Sequence, residues 1–313
     1  MSARTLFGVV ALAALLSGHG SVHAVPASPS TPDAVTVDLA ALRGDLAKAR
    51  ARTPATFVAM ASFRAEVPSL DAKKRGPLAV LAPTLERIAA RPDGWSALVE
   101  TLVDDLDGAT LAPSARTALR ASIAETLGRT RDRRGTPILA SLLTTDPEPM
   151  VVRAAAFGLA RLQDDASLAA LLPWVTAKSD RQVSVVIGAG SCRRNAMASA
   201  LASVLAGSTD AVLSRAAIDA LGTLGAKWAW QTGDVHDRKE EAPSRETAAR
   251  ALLAAYVQHT VEPELRLAAA NALLMVDAAG TPGWIAAAKA TASPAAVSEL
   301  DALAARFAKN PAR

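Results

Sequence analysis

The chain has 313 residues, half of them hydrophobic and only 4% aromatic, with 34 Lys and Arg against 30 Asp and Glu. High apolarity with low charge excludes a disordered chain. The single Cys excludes a disulfide scaffold and any Cys-based zinc site, and a net charge of +4 demands no nucleic acid partner. Ala occupies 73 positions; a core of Ala and Leu with few Ile, Phe or Tyr favours helices over strands, which prefer β-branched and aromatic side chains.

Arg4 is the only charge before an apolar run from Leu6 to Leu16, and a small, polar stretch from Ser17 to Ala24 follows. This is the three-part layout of a secretory signal, with Val22 and Ala24 as the small residues before cleavage. The run is too short to span a bilayer, which takes about 20 residues. The expectation is a signal peptide over 1–24, a flexible Pro- and Ser-rich linker over 25–37, and an exported folded domain over 38–313 that does not span a membrane. Cys192 then stands alone in an oxidising compartment, where a small buried hydrophobe is the simpler reading and an intermolecular disulfide the other.

From Asp38 the pattern turns helical, with Leu39, Leu42 and Leu46 at helical spacing. Pro54 and Pro68 punctuate the chain, and further apolar segments run from Leu78 to Ile88 and from Trp95 to Leu106. Asp104, Asp105, Asp107 and Gly108 resemble a fragment of a calcium loop, but Val103 and Ser114 fall where acids are required, so the segment reads as a solvated helix end.

One twelve-residue pattern then recurs: LRASIAETLGRT from Leu119, VVRAAAFGLARL from Val151, LSRAAIDALGTL from Leu213 and LRLAAANALLMV from Leu265. Positions one, five, nine and twelve fall on one helix face. Positions four to six are mostly small, which lets a neighbouring helix approach closely. Asp146-Pro147 and Glu262-Pro263 precede two copies; an acid caps a helix and Pro suits its first turn. Second amphipathic segments lie between or after the copies, at Pro137–Leu143, Leu168–Val175, Glu246–Val257 and Trp284–Ala290, so the unit is a helix pair. The starts lie 32, 62 and 52 residues apart. The 62 holds two units, with residues 181–205 as a degenerate one, and the 52 holds one unit plus the polar stretch Gln231 to Pro243.

VVRAAAFGLARL after Asp146-Pro147 and LSRAAIDALGTLG after Asp210 resemble the first-helix consensus of bacterial HEAT-like repeats. The resemblance covers residues 111–276 well and weakens over 38–110 and 277–313, as terminal caps with atypical faces would. It implies an all-α superhelix of stacked helix pairs, the fold class expected here. Members of this type are mostly binding scaffolds, with a few enzymes among them. Asp146 precedes Arg153 by seven residues and Asp210 precedes Arg215 by five, so the family's Asp–Arg ladder is not carried over.

No catalytic constellation stands out. Val183 to Asn195 (VSVVIGAGSCRRN) looks briefly like a dinucleotide fingerprint, but Arg193 holds the third glycine position and no β–α alternation surrounds it. It reads as helix, glycine break, helix. His-Glu, which the iron-binding hydroxylase branch of the superfamily needs, is absent, and Asp234, His236 and Asp237 read as a polar loop rather than a metal site. The expectation is therefore a non-catalytic chain without cofactor or metal that presents a curved surface to a protein partner in the cell envelope. The alternative is a small-ligand-binding protein or enzyme subunit that uses the groove of the superhelix. Two places carry the interaction reading. The stripe Leu213, Ala217, Leu221, Leu224 extends to Trp228, which places Trp228 in the core. Trp230, about 200° further round at 3.6 residues per turn, faces the next repeat or solvent, beside Gln231, Asp234 and His236. The second is the basic turn with Arg131, Arg133 and Arg134, suited to an anionic surface or partner.

Overall fold

The computed structural model describes residues 37–310 except 72–76, 108–110, 233–234, 236 and 259–261. The expected signal peptide, nearly all of the expected linker, and Asp234 and His236 lie outside the described residues. The elements that are described are helical. In chain order they are α1 (Leu39–Arg52), α2 (Pro54–Asp71), α3 (Pro77–Ala89), α4 (Gly94–Asp107), α5 (Pro113–Thr130), α6 (Gly135–Thr145), α7 (Pro149–Leu162), α8 (Asp165–Thr176), α9 (Gln182–Ala189), α10 (Asn195–Gly207), α11 (Ala211–Gly225), α12 (Lys227–Gln231), α13 (Glu241–Gln258), α14 (Pro263–Val276), α15 (Thr281–Thr291) and α16 (Pro294–Ala308). A 3-10 turn, Arg238–Glu240, precedes α13.

The helices stack in two layers. One layer runs α3, α5, α7, α9, α11, α14; the other runs α6, α8, α10, α13, α15. All four copies of the twelve-residue pattern lie in the first layer, on α5, α7, α11 and α14, and the degenerate copy supplies α9. The second amphipathic segments supply α6, α8, α13 and α15. The helix pair is therefore the repeating unit, and the fold is an all-α solenoid. Helices α1, α2 and α4 close the amino-terminal end, and α16 closes the other end. There Arg306 Nη2 donates to Asn271 Oδ1 at 2.7 Å and Asn310 Nδ2 to the Leu274 carbonyl at 2.9 Å.

Burial follows the pattern. Positions five and nine are buried in every copy, from Ile123 and Leu127 to Ala269 and Leu273. Ala154, Ala155 and Ala156 are buried together on α7. Small neighbours on one helix let the flanking helices of the layer come close, which a large side chain would hold apart.

The expected breakers work in part. Asp38 caps α1 by accepting from the Ala40 and Ala41 amides at 3.0 and 3.1 Å, and Asp210 caps α11 through Val212 and Leu213. Pro54 opens α2, but Pro68 does not end it; that helix runs on to Asp71. Residues 183–195 are helix α9, a turn, and the start of α10, as read from the glycine break.

The acids of the two acid–Pro pairs do not cap as expected: Glu262 heads α14 without a side-chain cap hydrogen bond, and the residue that heads α7 is Glu148, also without one, because Asp146 is drawn into another contact. The Asp146 carboxylate is fully buried and pairs with Arg120 of α5. Its Oδ1 also accepts from the Glu148 amide at 2.9 Å. Arg181, just ahead of α9, donates to the Asp146 carbonyl at 2.6 Å. Three consecutive units are tied at one residue, through a register different from the family's ladder. Burial pushes the Asp146 carboxyl above the usual carboxylate range.

Candidate functional site

A groove of about 1220 Å³ opens on the outer face of the first layer. It crosses α5, α7, α9, α11 and the start of α14. Its apolar floor is Phe157, Val183, Ile187 and Val212, and its charged groups are Glu125 and Arg153 at one end, Arg215 and Asp219 in the middle, and Glu262 and Glu264 at the other. Ile187 is 37% exposed and Val212 63% exposed. Three of the charges are neutralised within the protein. Arg215 Nε donates to Asp219 Oδ2 at 2.8 Å, and Arg129 Nη2 to Glu125 Oε2 at 3.2 Å, while the Arg129 guanidinium sits 5.8 Å from the Phe157 ring centroid. Helix α9 is short and lies tight on α7. A methyl group on Gly188 would meet the Ala156 Cβ and the Arg153 carbonyl, each at 2.6 Å. No sequence motif marks this groove, because its lining comes from helix faces turned away from the buried stripe. The signal that was available is the pair of β-branched residues off that stripe, Ile187 and Val212.

The tryptophans exchange places relative to expectation. Trp230 is completely buried, and its indole N–H donates to the Leu224 carbonyl at 2.8 Å. Trp228 is 60% exposed. The stripe of α11 does not reach Trp228, because α11 ends at Gly225 and Ala226 leaves the helical region with ψ 123. A methyl group on Gly225 would meet Val276 Cγ2 at 2.8 Å and Ala248 Cβ at 3.1 Å, so α14 and α13 close over the end of α11. The chain turns, α12 begins with a new phase, and Trp230 points into the core. Its expected place on the surface is corrected accordingly. Gln231, at the end of α12, is exposed. Arg238 Nη1 donates to the Trp230 carbonyl at 2.7 Å, which anchors the following insertion to this helix end.

The basic turn is engaged by its own fold. Arg131 takes a left-handed conformation, φ 56, that ends α5. Arg134 holds Asp132 through Nε at 3.0 Å and stacks 4.5 Å from the Trp95 ring centroid. Arg133 Nε lies 3.8 Å from Asp164 Oδ2 in the neighbouring turn. In the turns beyond, Arg194 donates to Asp165 Oδ1 at 2.8 Å and to Glu240 Oε1 at 3.3 Å. Alternating acids and bases thus run across successive turns on one edge, which leaves little single-sign field for an anionic surface.

Cys192 is buried at 1% exposure, and that burial pushes its thiol up to about 12. No group of three or more His, Cys, Asp or Glu side chains suited to a metal ion gathers among the described residues. No helix there is long and apolar enough to cross a membrane.

Residues 108–189, which hold α5 to α9, match the family model of HEAT repeats. Over that stretch the chain resembles HEAT repeats. No curated protein matches the sequence. Among solved structures, human deoxyhypusine hydroxylase in complex with glycerol is similar at 16% identity over 82% of this chain and 98% of that one, with a TM-score of 0.33. That protein is an enzyme, so the expectation of a non-catalytic chain, which rested on the lack of a catalytic constellation in the sequence, is withdrawn: a fold of this class leaves function to the site it carries. At this TM-score the likeness assigns no activity.

Proposed function

We propose that this HEAT-repeat chain is an exported binding protein that holds an amphipathic ligand in the groove over α5, α7, α9, α11 and α14. The observation that carries the reading is Ile187 and Val212, exposed side by side with charges of both signs inside one groove. Covering apolar carbon recovers about 25 cal/mol per Å², and flanking charges fix the orientation of whatever covers it. The volume lies just above the roughly 300–1,000 Å³ of most small-ligand pockets, so the occupant is a large small molecule or a segment of a protein in the cell envelope. A protein partner engaging Trp230 or the Arg131–Arg134 turn has less support, since Trp230 is buried and the turn is internally paired.

The test is a melting-temperature screen of amphipathic compounds and peptides against the chain and against Val212→Asp. Ligands that raise the melting temperature of the chain and lose this effect in the variant support the groove. A chain that no compound stabilises, or a variant that responds equally, refutes it. Export through residues 1–24 is part of the proposal. Amino-terminal sequencing of the protein recovered from outside the cytoplasm is expected to begin at Val25, and retention of the full chain in the cytoplasm refutes it.

A further inference from the structure

We infer that the occupant of the groove is an extended peptide segment of about eight residues with an apolar middle, an acidic end at Arg153 and a basic end at Glu264; the inference rests on the groove being a binding site. The charges of the groove are sorted by position. Glu125 and the Arg215–Asp219 couple are neutralised inside the protein. Arg153 on α7 is exposed, as is Glu264 on α14, and neither makes an ion pair or side-chain hydrogen bond among the described residues. Ile187 and Val212 lie on the helices between them. The groove therefore presents a cation, an apolar floor and an anion in that order.

Length follows from helix packing. Arg153 and Glu264 stand three helix steps apart, α7 to α9 to α11 to α14. Adjacent helices packed through small residues are about 8 Å apart, which makes the span roughly 25 Å. A compact drug-sized molecule does not reach both ends. An extended chain, rising about 3.3 Å per residue, covers the span in about eight residues.

The experiment measures fluorescence anisotropy of three labelled synthetic octapeptides with the same apolar middle, one with an acidic and a basic end, one with two acidic ends and one with two basic ends. The chain is expected to bind the mixed peptide about tenfold more tightly than either other. Arg153→Glu is expected to shift the preference to the peptide with two basic ends, and Glu264→Arg to the peptide with two acidic ends. Both side chains are exposed, and unchanged melting temperatures of the variants verify that the fold is retained. Equal affinity for the three peptides, or preferences that ignore the two substitutions, overturns the inference. If no peptide binds while smaller amphipaths stabilise the chain and not Val212→Asp, the groove stands and the peptide does not. If nothing binds, both fall.

Discussion

Gly128 and Gly158 meet backbone to backbone: a methyl group on Gly128 would lie 2.3 Å from the Gly158 Cα. Gly128 is position ten of its copy of the twelve-residue pattern, and Gly158 is position eight of the next. The same relation recurs along the layer. Gly222 faces Ala272, with an added methyl 2.8 Å from its Cβ, and Gly190 faces Ala220, with an added methyl 2.9 Å from its Cα. At these three steps position ten touches position eight of the following unit, and Gly190 fits only if the degenerate unit starts at Arg181; at the remaining step Gly188 meets Arg153, Ala156 and Phe157 instead. The contact keeps stacked helices near the short end of their spacing range.

Substituting Gly128 by Ala is expected to destabilise the protein. Overpacking against backbone costs about 3 kcal/mol, and the better helix propensity of Ala returns about 1 kcal/mol. Gly44, in α1, has nothing within 4 Å of an added methyl, so Gly44→Ala keeps only the gain. Chemical denaturation of the two variants is expected to show shifts of opposite sign.

The exchange of the tryptophans predicts an asymmetric pair. Trp230→Ala empties a fully buried site and strands the Leu224 carbonyl, at a cost of about 3–5 kcal/mol. Trp228→Ala removes an exposed ring and is expected to stay within about 0.5 kcal/mol. Equal effects in denaturation curves would place α12 in a different phase.

Asp146→Ala leaves Arg120, only 14% exposed at its side chain, without its carboxylate. It also removes the acceptor of the Glu148 amide. Breaking a buried pair from one side costs roughly 3 kcal/mol or more, so the expected result is a large drop in unfolding free energy. A loss below about 1 kcal/mol, the range of exposed pairs, would contradict the buried tie.

The Cys192 thiol, held protonated by burial up to about 12 against an ordinary value of 9.0, gives a pH signature. Between those values the unfolded chain has lost the proton and the folded chain keeps it. The contribution to stability is therefore complete below pH 9 and is lost as pH rises towards about 12. Cys192→Ala is expected to show a shallower alkaline decline, by up to about 1.4 kcal/mol per pH unit. Thiol reagents are expected to leave Cys192 unmodified in the native protein at pH 8 and to label it in denaturant; prompt native labelling would contradict the burial.

Several features of this helical-repeat chain were legible because they depend on neighbours along the chain. The spacing of Leu119, Ile123 and Leu127 defines a buried face whatever packs on it, and the small residues at 154–156 announce that another helix comes close. The caps were not legible in this way: Asp146 and Glu262 were expected to cap, whereas Asp38 and Asp210 do. The surplus between the copies at Leu213 and Leu265 located the insertion, which holds α12 and the 3-10 turn.

What the sequence by itself determined is the helix pair, its buried stripe and the order in which the units stack, since these follow from the helical period and from side-chain size. Which of Trp228 and Trp230 is buried was decided by the tertiary structure, because α13 and α14 close over Gly225 and reset the helical phase. The pairing of the Arg133 turn with Asp164 and the groove over Ile187 and Val212 were decided there as well. Both join residues tens of positions apart, and no local period records which outward faces a stack of repeats will bring together.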